Sequence, residues 1–300
     1  MGQLAQPESA IILRGDENAV IIRAFLRSHS ANTRKAYQTD LSQFLDHIHQ
    51  APLGAVTLDD LQDYQDHLRE QYPHPRFPDQ LSRTARRKLA SVKSLLRFAQ
   101  ETGAIRFNVG AALKLKRGNQ SITGRLLSEE QVFKLFGAAK TPRDEAMLRL
   151  LYATGARVSE IASLTWGDVV EMPDGRAIIN LYASKTDKSH GVTVSADLLH
   201  RLQSLSSTMS PDTPLLQSRQ GNPLSDRRMR EIVAVVAERA GVELPVSPHW
   251  FRHSHATHAR NRGADMAIIS KTLGHASLDT TMSMYTHLAS DKSSGDFLAV

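Results

Sequence analysis

The chain has 300 residues, enough for one large domain or two ordinary ones around a sizeable core. With 23% charged and 41% broadly hydrophobic residues it is no disordered polymer, and its lack of cysteine excludes disulfides, thiolate nucleophiles and Cys-ligated zinc or iron–sulfur centres. Net charge is +6, placed unevenly: residues 1–124 hold 17 basic and 12 acidic residues and the remainder 20 and 19, which points mildly to a polyanion partner.

The opening MGQLAQPESA lacks a basic region followed by an apolar one, so no signal peptide is expected. Gln6 stands where a myristoylation signal needs Ser or Thr. No stretch approaches the roughly 18 apolar residues of a membrane span. A cytoplasmic protein with no membrane partner is expected.

The first third reads as helices. Asn32 can cap a helix that places Tyr37, Leu41, Phe44, Leu45 and Ile48 on one face. Thr57-x-x-Asp60 forms a capping box ahead of Leu58, Leu61, Tyr64 and Leu68. A third helix spans about 82–101, with Ala85, Leu89, Val92 and Leu96 inward. Its other face carries Arg83, Arg86, Arg87, Lys88, Lys93 and Arg97, and no acidic residue falls between 80 and 100. That face reads equally as solvated surface or as a phosphate-contacting strip.

Residues 102–127 are glycine-rich and basic, and read as a linker. Ser128-x-x-Gln131 is another capping box, and Thr141-Pro142-x-Asp144 a further helix start. Asp174-Gly175 marks a turn before Arg176–Tyr182; a polar tip, Ala183–His190, and a second strand, Gly191–Ser195, follow. A small antiparallel sheet of two or three strands is predicted there. Helices are predicted near 196–206, 226–240, 249–262, 265–273 and 277–289, with Gly274 as a C-terminal cap and Ser277 as an N-cap.

Chemistry concentrates late in the chain. His249 and Arg252 stand at i and i+3 on one helix face, a pairing suited to a phosphoryl or carboxylate oxyanion. Arg157 opens a helix with Glu160 one turn on; Lys185 sits in the hairpin tip; His275 follows Gly274; Tyr285 lies in Met-Tyr-Thr-His. Each has a plainer reading. Arg157 with Glu160 makes a surface ion pair, Lys185 shares an exposed tip with Lys188, and Tyr285 is a partly buried tyrosine. His249, His253, His255 and His258 raise the question of a metal, but no His-Glu-x-x-His, cysteine or carboxylate partner accompanies them, so no metal is expected.

Taken in order, these pieces resemble the tyrosine recombinase (phage integrase) family. They are Thr154-Gly155-Ala156-Arg157-Val158-Ser159-Glu160, the hairpin lysine, His249-x-x-Arg252-His253, Leu273-Gly274-His275 and Tyr285-Thr286-His287. Segment 249–287 is similar to the family's C-terminal block nearly throughout, and segment 30–48, SANTRKAYQTDLSQFLDHI, to its N-terminal domain. Xer-type recombinases of about this length are the nearest likeness.

The resemblance implies a mainly α protein of two domains. An N-terminal helical, SAM-like core-binding bundle would occupy 15–105 and a linker 106–127. A catalytic domain of helices with a small antiparallel β-sheet would occupy 128–292, and a tail 293–300. It implies catalytic positions at Arg157, Lys185, His249, Arg252, His275 and the nucleophile Tyr285. Ser184-Lys185-Thr186 fits the pattern better than Lys188. DNA contacts would fall at Arg34, Arg83, Arg86, Arg87, Lys88 and Lys93.

The implied activity is cleavage and rejoining of duplex DNA at recombination sites through a 3′-phosphotyrosine, without ATP, metal or other cofactor. Four protomers would act on DNA, with a second recombinase or an accessory protein as a further partner. Alternatives are a type IB topoisomerase and a non-catalytic DNA-binding regulator. The sequence departs from the pattern at Asn108-Val109, where relatives carry Asn-Pro, and at Phe251, where an aliphatic residue is usual; Phe251 should remain a packing position. The apolar end Asp296–Val300, after Ser293-Ser294-Gly295, is expected to dock on a neighbouring protomer or to fray.

Overall fold

The computed structural model describes residues 17–115, 126–183 and 188–274. Among the described residues are eleven α-helices and one three-stranded sheet. The chain divides into two compact units, 1–119 and 120–300. The expectations for Lys185, His275, the helix and cap at 277–289, Tyr285 and the tail lie outside the described residues.

The first unit contains α1 (Glu17–Arg27), α2 (Ala31–His47), α3 (Leu58–Gln71) and α4 (Arg83–Glu101). Phe25, Leu41, Phe44, Leu61, Tyr64, Leu68, Leu89, Val92 and Leu96 form its core. The inward stripe is the expected one, with a correction at Leu58, which stands at the first position of α3 and is exposed. The cap of α2 also differs. Ser30, not Asn32, takes the extended N-cap conformation, and its hydroxyl bonds to Thr33 Oγ1 at 3.0 Å. Thr57 and Asp60 form the predicted reciprocal box on α3.

The basic face of α4 is less uniform than its sequence. Asp40 on α2 is fully buried and gathers four donors from α4. Arg87 reaches both of its carboxylate oxygens, Lys88 bonds at 3.3 Å and Ser91 at 2.9 Å. Lys88 is only 4% exposed, and Gln43 takes a further bond from its ammonium. Lys88 is therefore turned inward, a correction to its place in a phosphate-contacting strip: a buried ammonium needs a counter-charge, and Asp40 supplies it. Lys93 is half-buried, donates to the Leu113 carbonyl, and is held below the ordinary lysine range by burial. Arg83, Arg87 and Arg97 stay exposed and Arg86 is half-buried.

Asp40→Ala would strand buried Lys88, at a cost of about 3–5 kcal/mol. Chemical denaturation should show the transition of the first unit shifted by that amount, whereas Arg97→Ala, which breaks only the exposed pair with Glu101, should leave it nearly unmoved.

The linker also starts later than its composition suggested. Ile105 and Leu113 are buried in the first core, with Val109 and Leu115 packed against it. The signal for this is the spacing of apolar Ile105, Val109, Leu113 and Leu115 within a glycine-rich stretch.

The second unit begins with α5 (Glu129–Ala138), α6 (Pro142–Thr154) and α7 (Val158–Ala162). Strands β1 (Val169–Glu171), β2 (Ala177–Ala183) and β3 (Lys188–Val194) follow, antiparallel in the order β1-β2-β3. Then come α8 (Ala196–Gln203), α9 (Asp226–Arg239), α10 (Pro248–Asn261) and α11 (Met266–Thr272). The Ser128–Gln131 box and the Thr141-Pro142 start form as predicted. Leu135, Met147, Leu151, Ile179, Leu181, Met229, Val233 and Phe251 lie in one core. Phe251 is fully buried, the packing role expected of it. β3 begins earlier than predicted, so Lys188 and His190 are strand residues rather than part of the tip.

Candidate active site

The site starts where α6 ends. Gly155 caps that helix with φ +60°, a conformation glycine adopts without a Cβ penalty. Space makes the same demand. A Cβ there would lie 2.7 Å from Leu273 Cδ2 and 2.9 Å from His255 Cδ2. Gly155 thus lets α10 and the end of α11 close on the backbone leading into Arg157.

Arg157 is the N-cap residue of α7. Its backbone N–H donates to Glu160 Oε2 at 2.8 Å and its guanidinium to Oε1 at 2.7 Å. Glu160 is 3% exposed, whereas the Arg157 side chain is 37% exposed. The plain ion pair is therefore present. It also anchors one edge of the guanidinium on a buried carboxylate while leaving the arginine accessible, which fixes its direction rather than consuming it.

Arg252 on α10 is 5% exposed. Its guanidinium donates to the Gly155 carbonyl at 2.8 Å and to the Leu273 carbonyl at 2.7 Å. One side chain thereby holds together three stretches far apart in sequence: the Gly155–Arg157 turn, α10, and the residues just before His275. Guanidinium has five donors in a planar fork, so two carbonyl bonds do not exhaust it. His249 lies one turn earlier on α10, exposed, with its ring 6.1 Å from that of His253 in near-parallel stacking.

Behind this edge α6 and α10 are pinned by histidines. His255 Nδ1–H donates to the Tyr152 carbonyl at 2.8 Å, and His258 Nδ1 shares a 2.8 Å hydrogen bond with the Tyr152 hydroxyl. The Leu127 N–H donates to Ser254 Oγ at 3.0 Å, so the same helix also holds the start of the second unit.

Arg157, His249 and Arg252 are therefore on adjoining elements of one unit. Lys185, His275 and Tyr285 lie outside the described residues.

The Phage integrase family matches residues 125–292, and the phage integrase N-terminal SAM-like domain matches 24–103. The chain is 33% identical to the tyrosine recombinase XerC of Roseiflexus castenholzii, over 91% of this chain and 90% of that protein. It is 31% identical to the tyrosine recombinase XerD of Bifidobacterium longum, over 88% and 89%. The chain belongs to the phage integrase family of tyrosine recombinases.

The fold likeness extends to solved members. A lambda integrase dimer bound to a core site has a TM-score of 0.70 at 16% identity, over 92% of this chain and 97% of that one. XerH bound to its difH substrate has a TM-score of 0.64 at 20% identity, over 90% and 80%.

Some supports of the integrase site were not legible beforehand. His255 looked like one of four clustered histidines, and nothing in its spacing marks it as the wedge against Gly155. His190, assigned to the polar tip from the sequence, carried a signal all the same: strand residues two apart share a face, and Val192 and Val194 are apolar. Val192, at 6% exposure, and Val194, at 3%, are buried and His190 is half-buried.

Burial lowers the pKa of both His255 and His258 from the ordinary value of 6.5; the Tyr152 bond opposes this at His255, and Glu129 at His258. The unfolded chain therefore takes up these protons first as pH falls. Their stabilising contribution is complete above about pH 6.5 and drains away as pH drops toward the lower folded values. The melting temperature of the second unit should fall between pH 7.5 and 5.5, and less steeply in His255→Asn, which keeps a donor to Tyr152 without titrating. An equal slope in the two proteins contradicts this.

Proposed function

We propose that this chain is a site-specific recombinase that breaks and rejoins duplex DNA through a covalent tyrosine intermediate. The observation that carries the reading is Arg252, buried and bonded to the Gly155 and Leu273 carbonyls, which draws the separated motifs of the family into one place.

The chemistry follows from the residue types. A phosphodiester is anionic and repels a nucleophile, and Arg157 and Arg252 offset that charge and stabilise the more charged transition state. Tyrosine ionises near pH 10, so Tyr285 needs a proton acceptor, and His249 accepts or relays that proton while His275 completes the pocket. The Tyr285 oxygen attacks phosphorus and forms a 3′-phosphotyrosine ester. The bond from phosphorus to the 5′ oxygen breaks, and Lys185 protonates the departing oxygen. The ester conserves the bond energy, so the 5′ hydroxyl of a second DNA end can attack it and restore a phosphodiester.

The partner is double-stranded DNA carrying recombination sites, held by a tetramer in the cytoplasm at the nucleoid. Arg34, Arg83, Arg86 and Arg87 are the phosphate contacts of the first unit, with Lys93 at their margin; Lys88 instead shapes the helix from inside. Such contacts make affinity fall steeply with salt.

A plasmid with two directly repeated copies of the DNA site captured by the chain separates this activity from its relatives. Recombination deletes the intervening segment and requires both copies. Efficient relaxation of supercoiled plasmids lacking the site would indicate a topoisomerase, and binding without any strand breakage a regulator.

A further inference from the structure

The C-terminal turn of α11 is fastened by a second residue besides Arg252. His190 on β3 donates its Nε2–H to the Thr272 carbonyl at 2.9 Å. Thr272 and Leu273 carry two of the carbonyls that a helix end leaves without intrahelical partners, and side chains from two different elements satisfy them. The His190 ring also lies against Gly274, whose φ is +60°. A Cβ on Gly274 would stand 2.6 Å from the ring. Glycine is thus required there twice, by backbone conformation and by the imidazole.

His190 pairs with Leu181 across the β2–β3 ladder, on the inward face of the hairpin. Lys185 lies between these strands in sequence, five residues before His190. The hairpin is therefore tied by one imidazole to the backbone that runs into His275.

We propose that His190 is a positioning residue for the strand-cleavage reaction: by clamping the β2–β3 hairpin to the end of α11, it sets where Lys185 delivers its proton. This rests on the reading of Lys185 as the acid. His190 bonds to the Thr272 carbonyl and acts through the placement of Lys185. Its effect is geometric, and misplacement of a catalytic group by about 1 Å costs on the order of 10²-fold in rate.

The test compares cleavage by the full chain on two nicked substrates of its captured site. One has the ordinary 5′-bridging oxygen at the scissile phosphate and the other a 5′-bridging sulfur. A thiol, with a pKa of about 8.5, is far more acidic than the 5′ hydroxyl, so sulfur leaves as the thiolate without a proton donor.

H190L should cleave the oxygen substrate about 10²-fold more slowly than wild type, with unchanged DNA affinity, and recover on the sulfur substrate. Lys185→Ala should do the same. H190Q, which places an amide donor near the lost Nε2, should stay near wild type on both. Should H190L lower the unfolding midpoint, H190N, polar but too short to reach Thr272, takes its place.

If Lys185→Ala recovers on sulfur and the His190 variant does not, the proposal fails and the acid role of Lys185 stands. If Lys185→Ala fails to recover, the acid assignment fails and takes the proposal with it. A His190 variant as fast as wild type on the oxygen substrate also overturns it.

Discussion

Tyr285→Phe should abolish covalent capture of DNA and leave DNA binding unchanged. The substitution removes one oxygen, the only atom through which this side chain can bond to phosphorus, and retains the ring. On a nicked substrate whose cleaved fragment diffuses away, wild type should accumulate a protein–DNA adduct resolved by denaturing electrophoresis, and the variant none. No neighbouring group should compensate: a histidine adduct would be a phosphoramidate, labile to acid where a phosphotyrosine is not. An adduct that survives Tyr285→Phe would move the nucleophile elsewhere.

The second large effect belongs to Arg252. Arg252→Ala removes the charge proposed to meet the phosphate, and it leaves the buried carbonyls of Gly155 and Leu273 without their donor. Loss of an arginine that meets transition-state charge at phosphorus costs roughly 10³-fold in rate, about 4 kcal/mol. Unsatisfied buried carbonyls add about 1–3 kcal/mol of lost stability each. The two contributions are separable. Arg252→Lys restores the charge but lacks a planar fork that can span two carbonyls and still reach an oxyanion. It should remain nearly as inactive as Arg252→Ala in single-turnover cleavage while recovering part of the lost stability in denaturant. Near-wild-type cleavage by Arg252→Lys would mean that charge alone suffices and that the bridging geometry is incidental.

Much of this arrangement was legible in the chain because its signals are local. The boxes at Thr57–Asp60 and Ser128–Gln131, the proline after Thr141 and the Asp174-Gly175 turn each act within four residues, and all form as expected. The Arg157–Glu160 pair is equally local. Order and spacing of the late motifs led to the family, which the comparisons bear out.

What was not legible depends on partners distant in sequence. Nothing around Lys88 reveals that Asp40, 48 residues earlier, draws it into the core. A basic helix face looks alike whether its lysines meet phosphate or a buried carboxylate. Gly274 reads as a helix cap and Gly155 only as part of a motif; the demand that the rings of His190 and His255 make for glycine at the two positions exists only once α10 and β3 have packed. The cap of α2 slipped from Asn32 to Ser30 because both residues qualify and sequence alone ranks them nearly equally. β1, at three residues, is too short to carry a period.

The most direct test of the account is to identify both partners of the covalent bond. Wild-type protein expressed in its host is stripped from the chromosome under denaturing conditions, the trapped DNA is sequenced, and the peptide that retains nucleotide is mapped by mass spectrometry. The account predicts a 3′-phosphate on Tyr285 and breaks confined to one short DNA site. A 5′ linkage, a different residue, or breaks scattered without a common site would contradict it.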